Sequence, residues 1–257
     1  MPLGAVKVGL FAAAGAGGGG SAGYFGGGTT TAAVDKFAFS DDSRTTLGTA
    51  LSLTGYGVAA MANSGTAGYF GGGFAATDRV DKFAFSDDSR TTLGTGLSSA
   101  GYYGAGLANS GTAGYFALGY VSGAVSTVNK FAFSDDSRTT LGTGLSSNRY
   151  LQGSMANSGT AGYFGGGTAN LDTVDKFAFS DDSRSTLGTG LSVGRSARGG
   201  MANSGTAGYF GGGHDGTGAV STVDKFAFSD DTRTTLGTGL SSSRYHGAGM
   251  ANSETLA

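Results

Sequence analysis

One phrase written five times constrains this chain more than any other feature. Lys-Phe-Ala-Phe-Ser-Asp-Asp begins at Lys36, Lys82, Lys130, Lys176 and Lys225, at intervals of 46, 48, 46 and 49 residues. A second phrase, Gly-Tyr-Phe, begins at Gly23, Gly68, Gly114, Gly162 and Gly208, and a third, Ala-Asn-Ser, at Ala62, Ala108, Ala156, Ala202 and Ala251. A unit this short cannot bury its apolar face alone, so copies of it must stack on one another.

Each copy divides into four short strands, as the second shows. Val80-Asp81-Lys82-Phe83-Ala84-Phe85 alternates, with Phe83 and Phe85 on one side and Lys82 and Ala84 on the other, which is the period of a strand. Ser86-Asp87-Asp88-Ser89 has the short polar side chains of a turn. Arg90-Thr91-Thr92-Leu93 follows as a β-branched strand, then Gly104-Ala105-Gly106-Leu107-Ala108 as a strand of tiny residues, then Ala113-Gly114-Tyr115-Phe116. No segment has the period of an amphipathic helix.

Four strands per unit at this spacing predict an all-β fold, a five-bladed β-propeller with four antiparallel strands per blade. Of the 17 Phe, 15 sit at repeated strand positions, so bulk on one sheet face can enter the hollow left by Gly and Ala on the next blade. The tiny-residue strand suits the crowded axis. Residues 21–257 are read as the propeller and residues 1–20 as a Gly-rich arm. Closure has two readings. In the preferred one, the C-terminal segment Arg244 to Ser253 pairs with Ala22 to Phe25 and completes the first blade, removing open sheet edges. In the other, Leu10 to Ala16 is the first inner strand.

The bulk properties exclude some functions. Net charge is −2 and the pI about 5.6, which offers no footprint for a nucleic-acid backbone. With no Cys there is neither a disulfide framework nor a thiolate metal site. No stretch reaches the ~18 apolar residues of a membrane helix. The N-terminus, with Lys7 followed by Val8 to Ala14, is read as an arm, with a poor signal peptide as the alternative.

Arg149-Tyr150, Tyr163-Phe164-Gly165-Gly166 and Phe179-Ser180-Asp181-Asp182 follow one another in the order and spacing of a kelch repeat, and the chain resembles that family over nearly its whole length. It departs from it in having no Trp, with Leu47, Leu93, Leu141, Leu187 and Leu236 in the Trp place, and in Ala117-Leu118-Gly119, which breaks the Gly doublet. The near-identical blades carrying Val-Asp-Lys-Phe-Ala-Phe are also similar to repeat proteins of bacteriophages, cyanophages in particular. That resemblance implies a virion or extracellular setting, with other virion proteins among the expected partners.

Two segments differ between copies. One follows Gly-Tyr-Phe and the other precedes the inner strand. In a four-stranded blade these connections lie at one end, so the variation falls on one face of the disc. Six Tyr outside the repeated strands are all there: Tyr56, Tyr102, Tyr103, Tyr120, Tyr150 and Tyr245. So are Arg79, Arg149, Arg195, Arg198 and Arg244, the pair His214-Asp215, and His246. Tyr and Arg carry much of the binding energy at interfaces, and loops on a rigid scaffold are where binding residues sit. These residues are the candidate ligand-binding set, with simple loop drift as the alternative. The expected ligand is a glycan or a protein receptor. A purely structural module that forms homo-oligomers is the second reading, and an intracellular adaptor a distant third.

No catalytic residue, metal site or cofactor is expected. The Asp-Asp pair offers too few oxygens for calcium and reads as a capped turn, bonded to backbone or to a nearby Arg such as Arg44. The Gly-Gly-Gly runs lack the Lys-Ser/Thr and helix of a phosphate loop, and no Gly-x-Ser-x-Gly elbow is present. Some kelch-like propellers are copper oxidases, but their site needs a Cys.

Overall fold

The computed structural model describes residues 22–74, 77–196, 199–203 and 205–249, together with the backbone of 10–11. The strands form five separate four-stranded antiparallel sheets, each in chain order from the axis outward. The first blade is β1 (Leu10–Phe11), β2 (Ala22–Gly26), β3 (Val34–Ala38) and β4 (Arg44–Thr46). The second is β5 (Ala59–Asn63), β6 (Ala67–Gly71), β7 (Val80–Ala84) and β8 (Arg90–Thr92). The third is β9 (Ala105–Asn109), β10 (Ala113–Ala117), β11 (Val128–Ala132) and β12 (Arg138–Thr140). The fourth is β13 (Gly153–Asn157), β14 (Ala161–Gly165), β15 (Val174–Ala178) and β16 (Arg184–Thr186), and the fifth β17 (Gly199–Asn203), β18 (Ala207–Gly211), β19 (Val223–Ala227) and β20 (Arg233–Thr235). One short 3₁₀ turn, Thr168–Asn170, interrupts the all-β pattern among the described residues.

Register explains how blades stack. In the third blade Gly114 faces Phe131 and Tyr115 faces Lys130. Since neighbours along a strand point to opposite faces, Phe116 and Phe131 share one face, edge to face at 5.9 Å. Tyr115 and Lys130 share the other. The Phe face meets the preceding blade, where a β-carbon on Gly71 would stand 3.1 Å from the Phe116 ring. Inner strands come closer still: a β-carbon on Gly106 would lie 2.3 Å from the Ala60 carbonyl oxygen.

The Tyr/Lys face is clasped to the following blade by the second Asp of that blade's turn. The Tyr24, Tyr69, Tyr115 and Tyr163 hydroxyls donate to Asp88, Asp136, Asp182 and Asp231 at 2.6–2.8 Å. Lys36, Lys82, Lys130 and Lys176 reach the same four carboxylates at 2.7–2.8 Å. Each Tyr ring also stacks on the next blade's Phe, as Tyr115 does on Phe179 at 5.3 Å. Burial and the Asp88 bond raise the Tyr24 phenol to about 12, so it stays a donor. The turn reading is thereby divided between its two residues. The first Asp caps the turn, as Asp87 does by accepting from the Ser89 amide at 3.0 Å. The second lies in the left-handed region, φ 57° at Asp88, which aims its carboxylate at the neighbouring blade rather than at an Arg.

Among the described residues four such joints are made, while Tyr209 and Lys225 on the fifth blade and Asp42 and Phe39 on the first make no such bond. Phe39 is 54% exposed, whereas its counterparts Phe133, Phe179 and Phe228 are 8–9% exposed.

The expected pairing of the C-terminal segment with the first blade is corrected. The partner of β2 is Leu10–Phe11, in the register Leu10 to Gly26 and Phe11 to Phe25, which is the alternative reading and draws two residues of the supposed arm into the blade. Gly247 to Gly249 lie instead beside the fifth blade's inner strand, where a β-carbon on Gly249 would stand 2.8 Å from the Gly200 carbonyl oxygen. The physical reason is succession around the axis. Inner strands sit side by side, so chain leaving the fifth blade enters the place next to β17. Residues 250–253 of that segment lie outside the described residues.

Candidate functional site

In the second to fifth blades the two variable segments are tied together at one end of the blade. The Tyr120 amide donates to the Tyr102 carbonyl at 2.8 Å and the Tyr102 amide to Tyr120 at 3.1 Å; the Phe74 amide donates to Tyr56 at 2.7 Å and the Thr168 amide to Tyr150 at 2.9 Å. These bonds hold backbone that would otherwise be free loop, so the side chains stand on a rigid rim.

On that rim the rings of the second, third and fourth blades join into one cluster. Tyr56 stacks on Phe74 at 4.5 Å and meets Tyr103 at 5.8 Å. Tyr102 touches Phe74, Tyr103 and Tyr120 at 5.1, 4.9 and 5.3 Å. Tyr150 closes the set against Tyr103 at 6.2 Å and Tyr120 at 5.4 Å. Phe74, at 47% exposure, belongs to the cluster although the sequence reading did not include it; it is one of the two Phe outside the repeated positions, which was the available signal. Burial, followed by Tyr56 and Tyr102, raises the Tyr103 phenol to about 12, and burial, followed by Tyr120 and Tyr56, raises Tyr102. These two stay neutral at physiological pH.

Tyr103 is held at φ 58°, in the position taken by Gly57, Leu151 and His246 in other copies, all with positive φ. A left-handed residue with a β-carbon costs roughly 1–2 kcal/mol relative to glycine. Glycine fits this position, as Gly57 shows, yet three copies carry a large side chain there.

A second, smaller group lies on the fifth blade's rim. His214 meets Tyr245 at 5.6 Å and Tyr245 meets His246 at 5.0 Å. The His214 Nδ1 accepts from the Gly216 amide at 3.0 Å. Asp215 is occupied as a turn cap: Thr217 Oγ1 and the amides of Thr217 and Gly218 donate to it, and those bonds, the Thr217 hydroxyl first, bring it to about 2. Burial, then the charge of His214, lowers His246. The unfolded chain takes a proton there at the ordinary value of about 6.5, the folded chain only at lower pH, so protonation favours unfolding. Stability is expected to be fully present above about pH 6.5 and to fall below it. Thermal midpoints of the wild type and His246→Gln between pH 8 and 5 check this: the wild type should lose ground to the variant on the acid side.

The arginines separate into two kinds. Arg79 and Arg244 are exposed on the rim. Arg149 and Arg195 are 0% exposed and are not available to a ligand. Their guanidinium groups point inward to Asp175 and Asp224, at 2.5 and 2.9 Å, because a carboxylate on the third strand waits beneath the loop. Arg198 lies outside the described residues.

No protein-family model matches the chain, and no curated protein sequence matches it. Among solved structures it is similar to the structure of YjhT, with 13% identity, a TM-score of 0.75, and coverage of 97% of this chain and 88% of that one. At that identity the likeness concerns the fold alone, and it agrees with five blades of four antiparallel strands in a propeller arrangement. No helix among the described residues is long and apolar enough to cross a membrane.

Proposed function

We propose that this chain is a non-enzymatic binding propeller, kelch-like in its repeat and phage-associated in setting, that holds a glycan or a protein on its variable-loop face. The observation that carries this reading is the continuous cluster of Tyr56, Phe74, Tyr102, Tyr103, Tyr120 and Tyr150 across three blades. Rings give stiff contact area with polar tips at low cost in side-chain freedom, and strained positions kept large argue against drift. Glycan arrays and receptor pull-downs with the full chain test it. Tyr102→Ala and Tyr150→Ala are expected to abolish binding, while Tyr245→Ala, in the separate group, leaves it in place. Binding that survives the first two variants would refute the reading.

A structural or assembly module is the second reading. It is favoured by the two unjoined faces at Phe39 and at Tyr209 with Lys225, which suit contact with further protein. Co-purification in a larger assembly, with no glycan or receptor binding, would favour it.

A further inference from the structure

The five copies disagree at one position in a way that leaves a cleft. Four residues before the inner strand stand Gly55, Gly101, Arg149, Arg195 and, ahead of the C-terminal segment, Arg244. In the fourth blade the Arg149 side chain crosses over Gly167, whose β-carbon would meet it at 3.1 Å, and delivers its Nη2 to Asp175. The fifth blade repeats this with Arg195 over Gly213 and onto Asp224. In the third blade both partners are gone together: Gly101 replaces the arginine and Asn129 the aspartate. The second blade is mismatched. It has lost the arginine, at Gly55, and kept the carboxylate, at Asp81.

The result is an open cleft lined by Ser52, Gly55, Phe70, Gly73, Phe74 and Asp81. Gly55 stands at the Arg149 position, and Phe70, Gly73 and Asp81 correspond to Phe164, Gly167 and Asp175, which Arg149 meets in the fourth blade. Asp81 is 5% exposed. Its Oδ2 accepts from the Ser52 amide and hydroxyl at 2.7 and 2.8 Å, as Asp175 accepts from Ser146, but no guanidinium joins them. Its Oδ1 accepts from the Thr92 hydroxyl at 2.6 Å, and its ion-pair partner among the described residues is Arg90, whose Nε lies 4.0 Å from Oδ1. A buried carboxylate in a slot whose counterparts twice elsewhere in this protein hold an arginine suits a guanidinium group.

We infer that the cleft beside Asp81 binds an arginine side chain of a partner protein. The inference builds on the proposed binding face and, of its two ligand classes, selects a protein. Among the residues of this chain, Arg79 also borders the cleft and is the rival occupant.

The test uses the full chain and a blocked Gly-Arg-Gly tripeptide, with the citrulline tripeptide, neutral and of the same shape, as control. Binding is read as NMR shifts of the cleft amides of Ser52, Gly55 and Phe74. Only the arginine peptide should bind. Gly55→Arg, which rebuilds the fourth-blade arrangement from within, should weaken binding at least tenfold and raise the thermal midpoint. The position accepts a side chain's first atom, because a β-carbon at Gly55 meets nothing nearer than 3.4 Å. Asp81→Asn, copied from the third blade, should also weaken binding at least tenfold. Equal binding of the two peptides, or binding unchanged in both variants, overturns the inference. So does a wild type that binds nothing while Arg79→Ala binds, since Arg79 then fills the cleft. Because the Tyr150 ring meets Tyr103 and Tyr120 and no cleft residue, loss of glycan or receptor binding in Tyr150→Ala reports on the aromatic cluster separately.

Discussion

Asp175→Ala should destabilise the protein by roughly 3–5 kcal/mol, the cost of stranding a buried charge. Arg149 and Asp175 are both fully buried, and the guanidinium has no other carboxylate within reach. Two further Arg149 nitrogens, Nε and Nη1, already lack hydrogen-bond partners, so losing Asp175 leaves the group almost without compensation. The loss includes the Ser146 amide and hydroxyl, which both donate to Asp175. Denaturant midpoints measure it, and the third blade supplies the control. The double variant Arg149→Gly with Asp175→Asn recreates the Gly101 and Asn129 pair, in which no charge is buried at that place, and should recover much of what the single variant loses. A single variant as mild as the double one would mean that Arg149 finds water or moves out when its partner is removed.

Asp182→Ala should cost about 2–3 kcal/mol, because one carboxylate serves two donors across a joint. The Tyr115 hydroxyl reaches it at 2.7 Å and Lys130 at 2.7 Å. The Tyr115 ring is buried against Phe179, so its hydroxyl cannot turn to solvent without unstacking. Lys130, about a quarter exposed, can recover water and should contribute less. Tyr115→Phe is therefore expected to be milder than Asp182→Ala, and Lys130→Met milder still. Thermal unfolding of the three variants gives the order, and a reversed order would show that the ion pair, rather than the buried hydroxyl, holds the joint.

Period-two alternation and the fixed interval of the repeat made the five blades and their four strands legible, because both signals are local and recur. The joints between blades were not, because the partners of a turn Asp lie more than fifty residues away and the nearby Arg44 was the obvious local candidate. Only the left-handed backbone at the second Asp turns its side chain outward. Arg149 and Arg195 were read as surface residues because they sit in variable loops, which is where exposed arginine belongs. A signal to the contrary was present in the copies themselves: Asn129 is the one amide at a third-strand position that holds Asp in the other four copies, and its blade also lacks the arginine. The aromatic rim was legible as composition, but its contiguity was not, since ring-to-ring contact depends on how two loops of each blade pair. The C-terminal segment was misplaced because its wording matches an inner strand while its position follows from order around the axis.

Among the described residues four joints are clasped and a fifth is left apart, so the first and fifth blades each lack one clasp. In such an array each unit leans on its neighbours, and units at the ends have half the support. Buried positions run unbroken through β6, β10 and β14 but are interrupted in β2 and β18. Amide hydrogen exchange should follow that gradient, slowest in the second to fourth blades and fastest in the first and fifth. The aromatic rim sits on the slow-exchanging middle. A ligand there would be held by the part of the chain that opens last, while the terminal blades remain free to exchange partners without disturbing it.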